Sequence, residues 1–375
     1  MTAHQSLALG FFIVIGLVVG VRGERFEVTS AQQLIKLLNI SEANNFDANI
    51  VLLDNLDFSD ISLTLPLGAF SDGTCVPYSG VFQGNGHSIK GLQMNSTKNE
   101  EFKHAGLFCS LKNATVENLV IDSSCSFTGV SAGALCVSVN GSVVVKNVTN
   151  KASIKGEKKV GGFIAYLEGL KQEALVSFEG CVNDGNVTVS GNYVGGFVGF
   201  FYCNSNMVMA IDNSINLGTV TGESYAGGFV GSIWTNTNMS VTLSNSINHG
   251  TAIVSDKYAG GFVGIIANIS SMLMTISDSM NNGTISGNSN CVGGFAGFIL
   301  SNTNMTVFIS NFTNNGRLTG FDNYVGGFFA IIELNMGMTM TMTNYINNGV
   351  VSGSGECVGG FVGYFLSNIN VTMTF

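Results

Sequence analysis

The sequence predicts an all-β protein, a right-handed parallel β-helix (β-solenoid) with repeats of about 33 residues and a short N-terminal helical cap. The first observation is a phrase, VGGFVG or a close variant, that recurs every 32 to 34 residues, with its phenylalanine at Phe163, Phe197, Phe229, Phe262, Phe295, Phe328 and Phe361. The second is an Asn-x-Gly turn in register with it, at Asn183, Asn216, Asn248, Asn281, Asn314 and Asn347. Each repeat of a solenoid contacts only its neighbours, so an extended surface is expected.

Residues 1–23 are predicted to be a signal peptide. Leu7 to Val21 is a run of 15 apolar or small residues, whereas a membrane-spanning helix needs about 20. Cleavage is expected near Gly23, and the alternative is a signal anchor that stays in the membrane. The mature chain is therefore expected to be extracellular or at the cell surface.

Residues 24–80 are predicted to form an N-terminal cap region of a helix plus strands. Leu34 and Leu38 lie one helical turn apart, with Thr29 or Ser30 as the N-cap, and Asn49 to Leu53 reads as a strand. A short helix can cover the open end of a solenoid, where backbone groups would otherwise lack partners. Residues 81–158 are predicted as degenerate β-helix rungs.

Residues 159–375 are predicted as regular VGGFVG repeats, the last of them incomplete. In one copy Met239, Val241 and Leu243 alternate with polar side chains, which is typical of a strand with one buried face. About three strands per repeat and a core column of methionines are expected. The alternative fold is a series of hairpins in a propeller, because Asn-Gly pairs also favour hairpins, although blades of about 40 to 50 residues are longer than this repeat.

The turn and the double glycine each have a predicted structural role. Glycine two residues after each turn asparagine is expected to supply a positive φ, and the asparagine amides are expected to stack into a hydrogen-bonded ladder. A sugar-binding row of amides is the alternative for these asparagines. Gly195 and Gly196 are expected at a close backbone corner, with Phe197 stacking on the next repeat's phenylalanine.

Charge restricts the class of partner. From Ser190 onward the sequence contains seven acids and two bases, at Asp212, Glu223, Asp256, Asp278, Asp322, Glu333, Glu356, Lys257 and Arg317. A nucleic-acid partner, which requires clustered Lys and Arg, is excluded. Host or neighbouring-cell surface ligands or glycans are the expected partners. Self-association through an open C-terminal edge is also expected, because Val371 to Phe375 lies inside an alternating strand.

Glycosylation is expected at some of twelve candidate Asn-x-Ser/Thr sequons, which are acceptors in a secretory chain: Asn39, Asn95, Asn113, Asn140, Asn147, Asn186, Asn238, Asn268, Asn282, Asn304, Asn311 and Asn370. Eight cysteines permit disulfides in an oxidising compartment. Cys291 and Cys357 fall in one column two repeats apart, about 9.6 Å, which is too far for a bridge, so both are interpreted as packing residues.

No catalytic residue, cofactor site or metal site is predicted. Glu223, Asp256 and Asp322 share a column six places before the repeat phenylalanine, with Glu356 one place further on. Glu223 and Asp256 are expected about 4.8 Å apart on adjacent rungs. Solvated turn residues are the preferred interpretation, and a glycosidase dyad is the alternative.

The phrase VFQGNGHSIKGL at Val81 to Leu92, together with VGGFVG, resembles exported right-handed β-helix proteins with GLUG-type repeats from bacterial and protist surfaces. That family has F-x-G-x-G-H-x-I-x-x-L and VGGLVG at these places. The resemblance implies a pectate-lyase-like β-helix in secreted or surface proteins that are often adhesin-like. This chain departs from the pattern in having Phe for Leu and a longer repeat, whose extra residues around Asn302 to Asn311 are expected to form a protruding loop.

The sequence therefore predicts a secreted or cell-surface structural glycoprotein, adhesin-like and non-catalytic, that presents an extended β-helix surface for recognition. The alternative is a carbohydrate-active β-helix enzyme, either a polysaccharide lyase or a hydrolase. Such an enzyme requires acids and bases gathered on one face, and the repeat register does not assemble them.

Overall fold

The chain forms a parallel β-solenoid of about ten turns with repeats of about 33 residues, as the sequence predicts. The computed structural model describes residues 23–38, 45–288, 291–321, 324–355 and 357–374. The predicted signal peptide, 1–23, therefore lies outside the described residues except for Gly23. Within the described ranges no helix combines the length and apolar character that crossing a membrane requires.

Four parallel sheets run along the solenoid, and each regular turn visits them in the same order. Sheet 1 contains Arg25–Val28, Asn49–Leu52, Val81–Gln83, Ala114–Glu117, Val143–Lys146, Ala174–Glu179, Ser205–Asp212, Thr237–Ser244, Ser270–Ser277, Thr303–Ser310, Thr339–Thr343 and Thr372–Thr374. Sheet 2 contains Leu56–Asp57, Ser88–Lys90, Val120–Ile121, Thr149–Asn150, Val182–Asn183, Ile215–Asn216, Ile247–Asn248, Met280–Asn281, Thr313–Asn314 and Ile346–Asn347.

The other two sheets meet at the VGGFVG phrase. Sheet 3 contains Gln93–Asn95, Ser126–Gly133, Ser153–Gly161, Val187–Val189, Tyr193–Gly195, Val220–Gly222, Tyr225–Gly227, Ala252–Val254, Tyr258–Gly260, Ile285–Gly287, Cys291–Gly293, Leu318–Gly320, Tyr324–Gly326, Val351–Gly353 and Cys357–Gly359. Sheet 4 contains Phe108–Leu111, Cys136–Val139, Ile164–Glu168, Val198–Tyr202, Val230–Trp234, Val263–Ala267, Ala296–Leu300, Phe329–Glu333 and Val362–Leu366.

Successive turns pair in register because the repeat length is nearly constant. Met239 pairs with Met272, and Met272 with Met305, in sheet 1. All three side chains are at most 3% exposed, so the methionine column belongs to the core as predicted. Residues at equivalent positions of successive repeats therefore stack in a column, with neighbours separated by the distance between adjacent strands, about 4.8 Å.

Each regular turn contains five strands, so the prediction of about three is wrong. The structure divides VGGFVG between two sheets: Tyr225–Gly227 belongs to sheet 3, and Val230–Trp234 belongs to sheet 4. The protruding loop expected around Asn302 to Asn311 is also wrong, since Thr303–Ser310 is an eight-residue strand of sheet 1. Alternate apolar side chains of this strand point inward and, like that of Val307, are buried in the core. The extra residues therefore lengthen a strand instead of forming a loop.

The corner between sheets 3 and 4 explains the double glycine. A Cβ atom on Gly228 would lie 2.1 Å from the carbonyl oxygen of Gly261 and 2.6 Å from Oδ1 of Asn248. Phe229, the next residue, is fully buried and stacks on Phe262 with ring centroids 4.8 Å apart. The predicted close corner and phenylalanine stack are therefore confirmed.

The turn glycine has a different role from the one predicted. Gly250 does not have a positive φ, and its Cβ atom would lie 2.2 Å from the carbonyl oxygen of Gly218 on the preceding turn. Left-handed residues occur elsewhere, for example at the corner between sheets 1 and 2, where Asn245 has φ 49° and Asn311 has φ 53°. Glycine is therefore required in this turn because two backbones approach closely, and not because the residue is left-handed.

The N-terminal helix begins where the sequence predicts. It spans Ala31–Leu37, and the Oγ atom of its N-cap Ser30 accepts a hydrogen bond from the backbone N–H of Gln33 at 3.3 Å. Leu34 and Leu38 are buried in the same core as the strands. A 3-10 turn at Asn45–Asp47 precedes the second strand of sheet 1.

One disulfide links Cys75 to Cys109, a separation of 34 residues, in the part of the chain that the structure describes. Cys109 lies in the first strand of sheet 4, so the bond ties the 61–80 segment to the outer side of that sheet. Cys291 and Cys357 are free and flank Tyr324, which pairs with both. They lie two turns apart, as predicted.

Candidate functional site

The predicted asparagine ladder forms inside the solenoid. Asn216 Nδ2 donates to Asn248 Oδ1 at 2.9 Å, and Asn248 Nδ2 donates to Asn281 Oδ1 at 2.9 Å. These three side chains are 0% exposed. The interpretation of this row as a sugar-binding surface is therefore wrong, because a sugar cannot reach it.

A second buried asparagine row, which the sequence analysis missed, lies between sheets 4 and 1. Asn302 Nδ2 and its backbone N–H donate to Asn335 Oδ1, both at 3.0 Å, and the backbone N–H of Asn335 donates to Asn368 Oδ1 at 2.9 Å. Asn204 begins the row and satisfies the backbone N–H of Leu170. The sequence contained a signal for this row, because asparagine recurs at the repeat period from Asn204 to Asn368, with Ile269 as the exception.

The acidic column lies on the surface. Asp256 N–H donates to the backbone oxygen of Glu223 at 2.8 Å, so the two acids occupy adjacent turns as predicted, and both are exposed. Asp322 and Glu356 lie outside the described residues. Across the described ranges, no group of three or more His, Cys, Asp or Glu side chains is placed to hold a metal ion.

The sequons occupy particular faces of the solenoid. Of those described, Asn282 is half-buried and the others, Asn95, Asn113, Asn140, Asn147, Asn186, Asn238, Asn268, Asn304, Asn311 and Asn370, are exposed; Asn39 lies outside the described residues. They lie in sheet 1, at its two corners, in the turn from sheet 2 to sheet 3, and in the first strand of sheet 3. None lies in a strand of sheet 4 or in the described strands of sheet 3 that begin with Tyr or Cys.

That sequon-free face carries what we term the aromatic groove: the outer side of the corner between sheets 3 and 4 from Tyr193 to Tyr364. Three columns of side chains line it, and each follows the strand register. The columns are Tyr193, Tyr225, Tyr258, Cys291 and Tyr324; Phe200, Ser232, Ile265, Phe298, Ile331 and Tyr364; and Tyr202, Trp234, Ala267, Leu300 and Glu333.

The corner is concave on its outer side. Tyr193 of sheet 3 stacks on Phe200 of sheet 4 with ring centroids 4.1 Å apart, and Tyr258 meets Phe298 at 4.8 Å. Side chains on the outer faces of two sheets can converge in this way only if the sheets fold toward each other on that side. Tyr193, Tyr258 and Phe298 belong to a hydrophobic cluster separate from the solenoid core.

The polar groups of the groove are few. Lys257 Nζ lies 5.4 Å from the centroid of the Tyr225 ring, a cation–π contact. Burial raises the pKa of Tyr193 to about 12, and the neighbouring phenols of Tyr225 and Tyr202 add to the shift. Ser232 Oγ is buried without a hydrogen-bond partner among the described residues, which costs about 1–3 kcal/mol.

At its N-terminal end the groove continues into a pocket of about 420 Å³. Ser138 pairs with Tyr166, and Tyr166 with Phe200, so the pocket and the groove share one column of sheet 4. The disulfide-tied 61–80 segment forms the opposite wall through Cys75 and Pro77. The other lining residues are Ser110, Val139, Asn140, Glu168, Gly169 and Leu170.

An ion pair fixes the charge of this pocket. Glu168 Oε2 accepts from Lys159 Nζ at 2.6 Å, and Lys159 Nζ lies 4.6 Å from the centroid of the Tyr166 ring. Burial raises the pKa of Tyr166, and the negative charge of Glu168 adds to this effect. Tyr166 therefore remains a protonated phenol, a hydrogen-bond donor, at neutral pH.

Comparisons with known proteins add little to this geometry. No family model matches the chain, and no curated protein matches it. A solved structure described as "a putative immunoglobulin A1 protease from Bacteroides ovatus" is similar at 17% identity, over 92% of this chain and 84% of that one, with a TM-score of 0.41. A similarity at this level assigns no activity to the chain.

The aromatic groove escaped the sequence analysis for a physical reason. The tyrosine column was visible at the repeat period, but the facing column of sheet 4 alternates Phe200, Ser232 and Ile265, which share no chemistry. The pocket depends on where the disulfide places Cys75 and Pro77. The spacing of residues in the sequence does not indicate where Cys75 and Pro77 lie relative to sheet 4.

Proposed function

We propose that the chain is a secreted or cell-surface structural glycoprotein, adhesin-like and non-catalytic, whose recognition surface is the aromatic groove. One observation carries the proposal: an outward row of aromatic side chains, half-buried at Tyr193, Tyr258 and Trp234, runs along a face without sequons. A half-buried tyrosine or tryptophan packs the body of its ring and keeps its polar tip at the surface, where a partner can contact it. Tyrosine and tryptophan are also the side chains most enriched at the energetic centres of interfaces.

Three further observations support export. The Cys75–Cys109 disulfide is typical of proteins that fold in an oxidising compartment. The exposed sequons, which are acceptors in a secretory chain, lie outside the three groove columns. The resemblance of VFQGNGHSIKGL and VGGFVG to GLUG-type surface proteins points the same way. Host or neighbouring-cell surface ligands or glycans remain the proposed partners.

The enzyme alternative has weaker support. Glycoside hydrolysis generally uses two carboxylates that flank the scissile bond. Glu168 is the one acid among the residues that line the described pocket, and it is held by Lys159. Glu223 and Asp256 are exposed turn residues that precede the groove residues Tyr225 and Tyr258 by two positions, and neither lines the pocket.

Adhesion measured with matched variants tests the proposal. Beads coated with the full chain are applied to cultured host and neighbouring cells, and retention under flow is compared with that of Trp234→Ala and Tyr324→Ala. We expect each groove variant to reduce retention at least about tenfold, as for a central interface residue. Phe308→Ala is the control, because Phe308 is 45% exposed on sheet 1, the face that bears sequons.

The same preparations separate the two classes of function. Turnover of a polysaccharide that is abolished by Glu168→Gln would overturn the non-catalytic proposal. Equal loss of retention in Phe308→Ala and the groove variants would show that the groove has no special role. Thermal unfolding of each variant establishes that it is folded before adhesion is compared.

A further inference from the structure

The pocket at the end of the groove has a lining suited to a ligand rich in hydroxyl groups. Ser110 and Ser138 offer hydroxyls, Asn140 an amide, Glu168 a carboxylate and Tyr166 a phenol. This set mixes donors with acceptors, and an aromatic ring lies among them. Small-molecule sites typically have volumes of about 300–1,000 Å³, and this pocket has about 420 Å³.

The charge of the pocket favours a neutral ligand. Glu168 is the acid of the lining, and Lys159 balances it at 2.6 Å. An anionic ligand would meet the Glu168 carboxylate, and a cationic one would displace Lys159 from both the carboxylate and the Tyr166 ring. A neutral polyhydroxylated ring can accept from Tyr166 and donate to Glu168 without disturbing the pair.

We infer that this pocket binds a neutral pyranose sugar, with Glu168 and Tyr166 as its polar anchors and Ser138 and Asn140 as further partners. This inference rests on the proposed recognition function and names the ligand class at one end of its surface. The pyranose has two available sources. One is a glycan of another cell, and the other is the chain's own glycan, because Asn140 is a sequon and lines the pocket.

The first arm of the test uses chain without N-glycans. The full chain is produced in the bacterial periplasm, where the disulfide can form, and N-acetylglucosamine, mannose and galactose are titrated by calorimetry and saturation-transfer NMR. We expect one of them to bind, with Kd raised about tenfold in Glu168→Gln and severalfold in Tyr166→Phe, which retains the ring. Glu179→Gln is the matched control, since it removes the Lys146–Glu179 ion pair, 3.0 Å long, outside the pocket.

The second arm identifies the source of the sugar. Chain secreted from eukaryotic cells is titrated with the same sugar beside its Ser142→Ala variant, which removes the sequon and keeps the Asn140 side chain. Binding that appears only in Ser142→Ala assigns the pocket to the chain's own glycan, and equal binding in both assigns it to an external glycan. Binding in none of these preparations, or unchanged binding in Glu168→Gln, would overturn the inference.

Failure of this inference is distinguishable from failure of the proposed function. If beads bearing Glu168→Gln adhere normally and the unaltered chain binds no sugar, the sugar-binding inference is rejected and the proposed role of the groove is retained. Beads of the unaltered chain that do not adhere at all would contradict the proposed function, whatever the pocket binds.

Discussion

At the scale of single residues, position in the turn decides which side chain is tolerated. Gly228 and Gly250 have no room for a Cβ atom, while Asn245 adopts a left-handed conformation that asparagine tolerates better than most residues. The sequence could predict that glycine and asparagine were required. It could not predict which of them is left-handed, because the steric reason for Gly250 is a carbonyl of the neighbouring turn.

Gly228→Ala tests the close corner. The added Cβ would overlap the Gly261 carbonyl oxygen at 2.1 Å, so a backbone must move, and we expect a loss of about 3 kcal/mol in the free energy of unfolding. Urea unfolding followed by circular dichroism measures it. Gly360→Ala is the control from the same column, since nothing lies within 4 Å of that Cβ position. Equal effects of the two substitutions would contradict the steric explanation.

Asn248→Ala tests the buried ladder. It leaves Asn216 Nδ2 and Asn281 Oδ1 without this partner in the interior, and we expect a loss of about 2–4 kcal/mol. Asn315→Ala provides the comparison, because Asn315 Nδ2 donates to Asn282 Oδ1 at the same 2.9 Å on an exposed surface, where water can replace the bond. A loss in Asn315→Ala as large as in Asn248→Ala, measured by urea unfolding, would argue against the importance of burial.

At the scale of elements, the phenylalanine stack ties the turns together. Phe262 lies between Phe229 and Phe295, at ring centroid distances of 4.8 and 5.6 Å. The period of the sequence predicted this column and the methionine column of sheet 1, because each is a repetition of one residue type. Strand boundaries were less predictable, since a two-residue strand such as Ile247–Asn248 has no periodicity of its own.

Phe262→Leu and Phe262→Ala test the stack as a graded pair. Leucine keeps most of the buried volume, so we expect a cost below about 1.5 kcal/mol, whereas alanine leaves a cavity and should cost about 3–5 kcal/mol. Differential scanning calorimetry of both variants measures the difference in unfolding temperature. Equal destabilisation by the two would indicate that aromatic stacking, not volume, is what the column requires.

The aromatic groove should respond to alkaline pH. The pKa of Tyr193 is raised from its ordinary value of about 10 to about 12 in the folded chain, because burial disfavours the phenolate. The protonated Tyr193 phenol therefore contributes fully to the stability of the folded state below pH 10, and this contribution is lost as the pH rises from 10 to 12. Thermal midpoints measured across this window should fall, and they should fall less steeply in Tyr193→Phe. Parallel slopes for both chains would contradict this assignment.

At the scale of the whole molecule, the chain separates a tightly packed interior from the aromatic groove on its outer side. Two asparagine ladders, the phenylalanine stack and the methionine column hold the turns together from inside. The solenoid was predictable from the period of the sequence, but the groove was not, because it is defined by residues from different columns that meet across a concave corner. The pocket adds a long-range constraint, the Cys75–Cys109 disulfide, that no local pattern reveals.

The disulfide should stabilise the N-terminal turns in particular. Closing a loop of 34 residues restricts the unfolded chain by about 4 kcal/mol in the entropic model. Hydrogen exchange of Cys75→Ser should therefore show faster opening near residues 61–111 and little change beyond residue 200. Uniform acceleration along the whole solenoid would indicate that its turns unfold as one cooperative unit.

We propose that the aromatic groove recognises a partner and that the glycans are attached elsewhere on the surface. Retention under flow of beads that bear the secreted chain, compared between Trp234→Ala and Phe308→Ala, tests it most directly. We expect Trp234→Ala to reduce retention at least about tenfold and Phe308→Ala to leave it unchanged. Equal retention of both variants, with both folded, would contradict it.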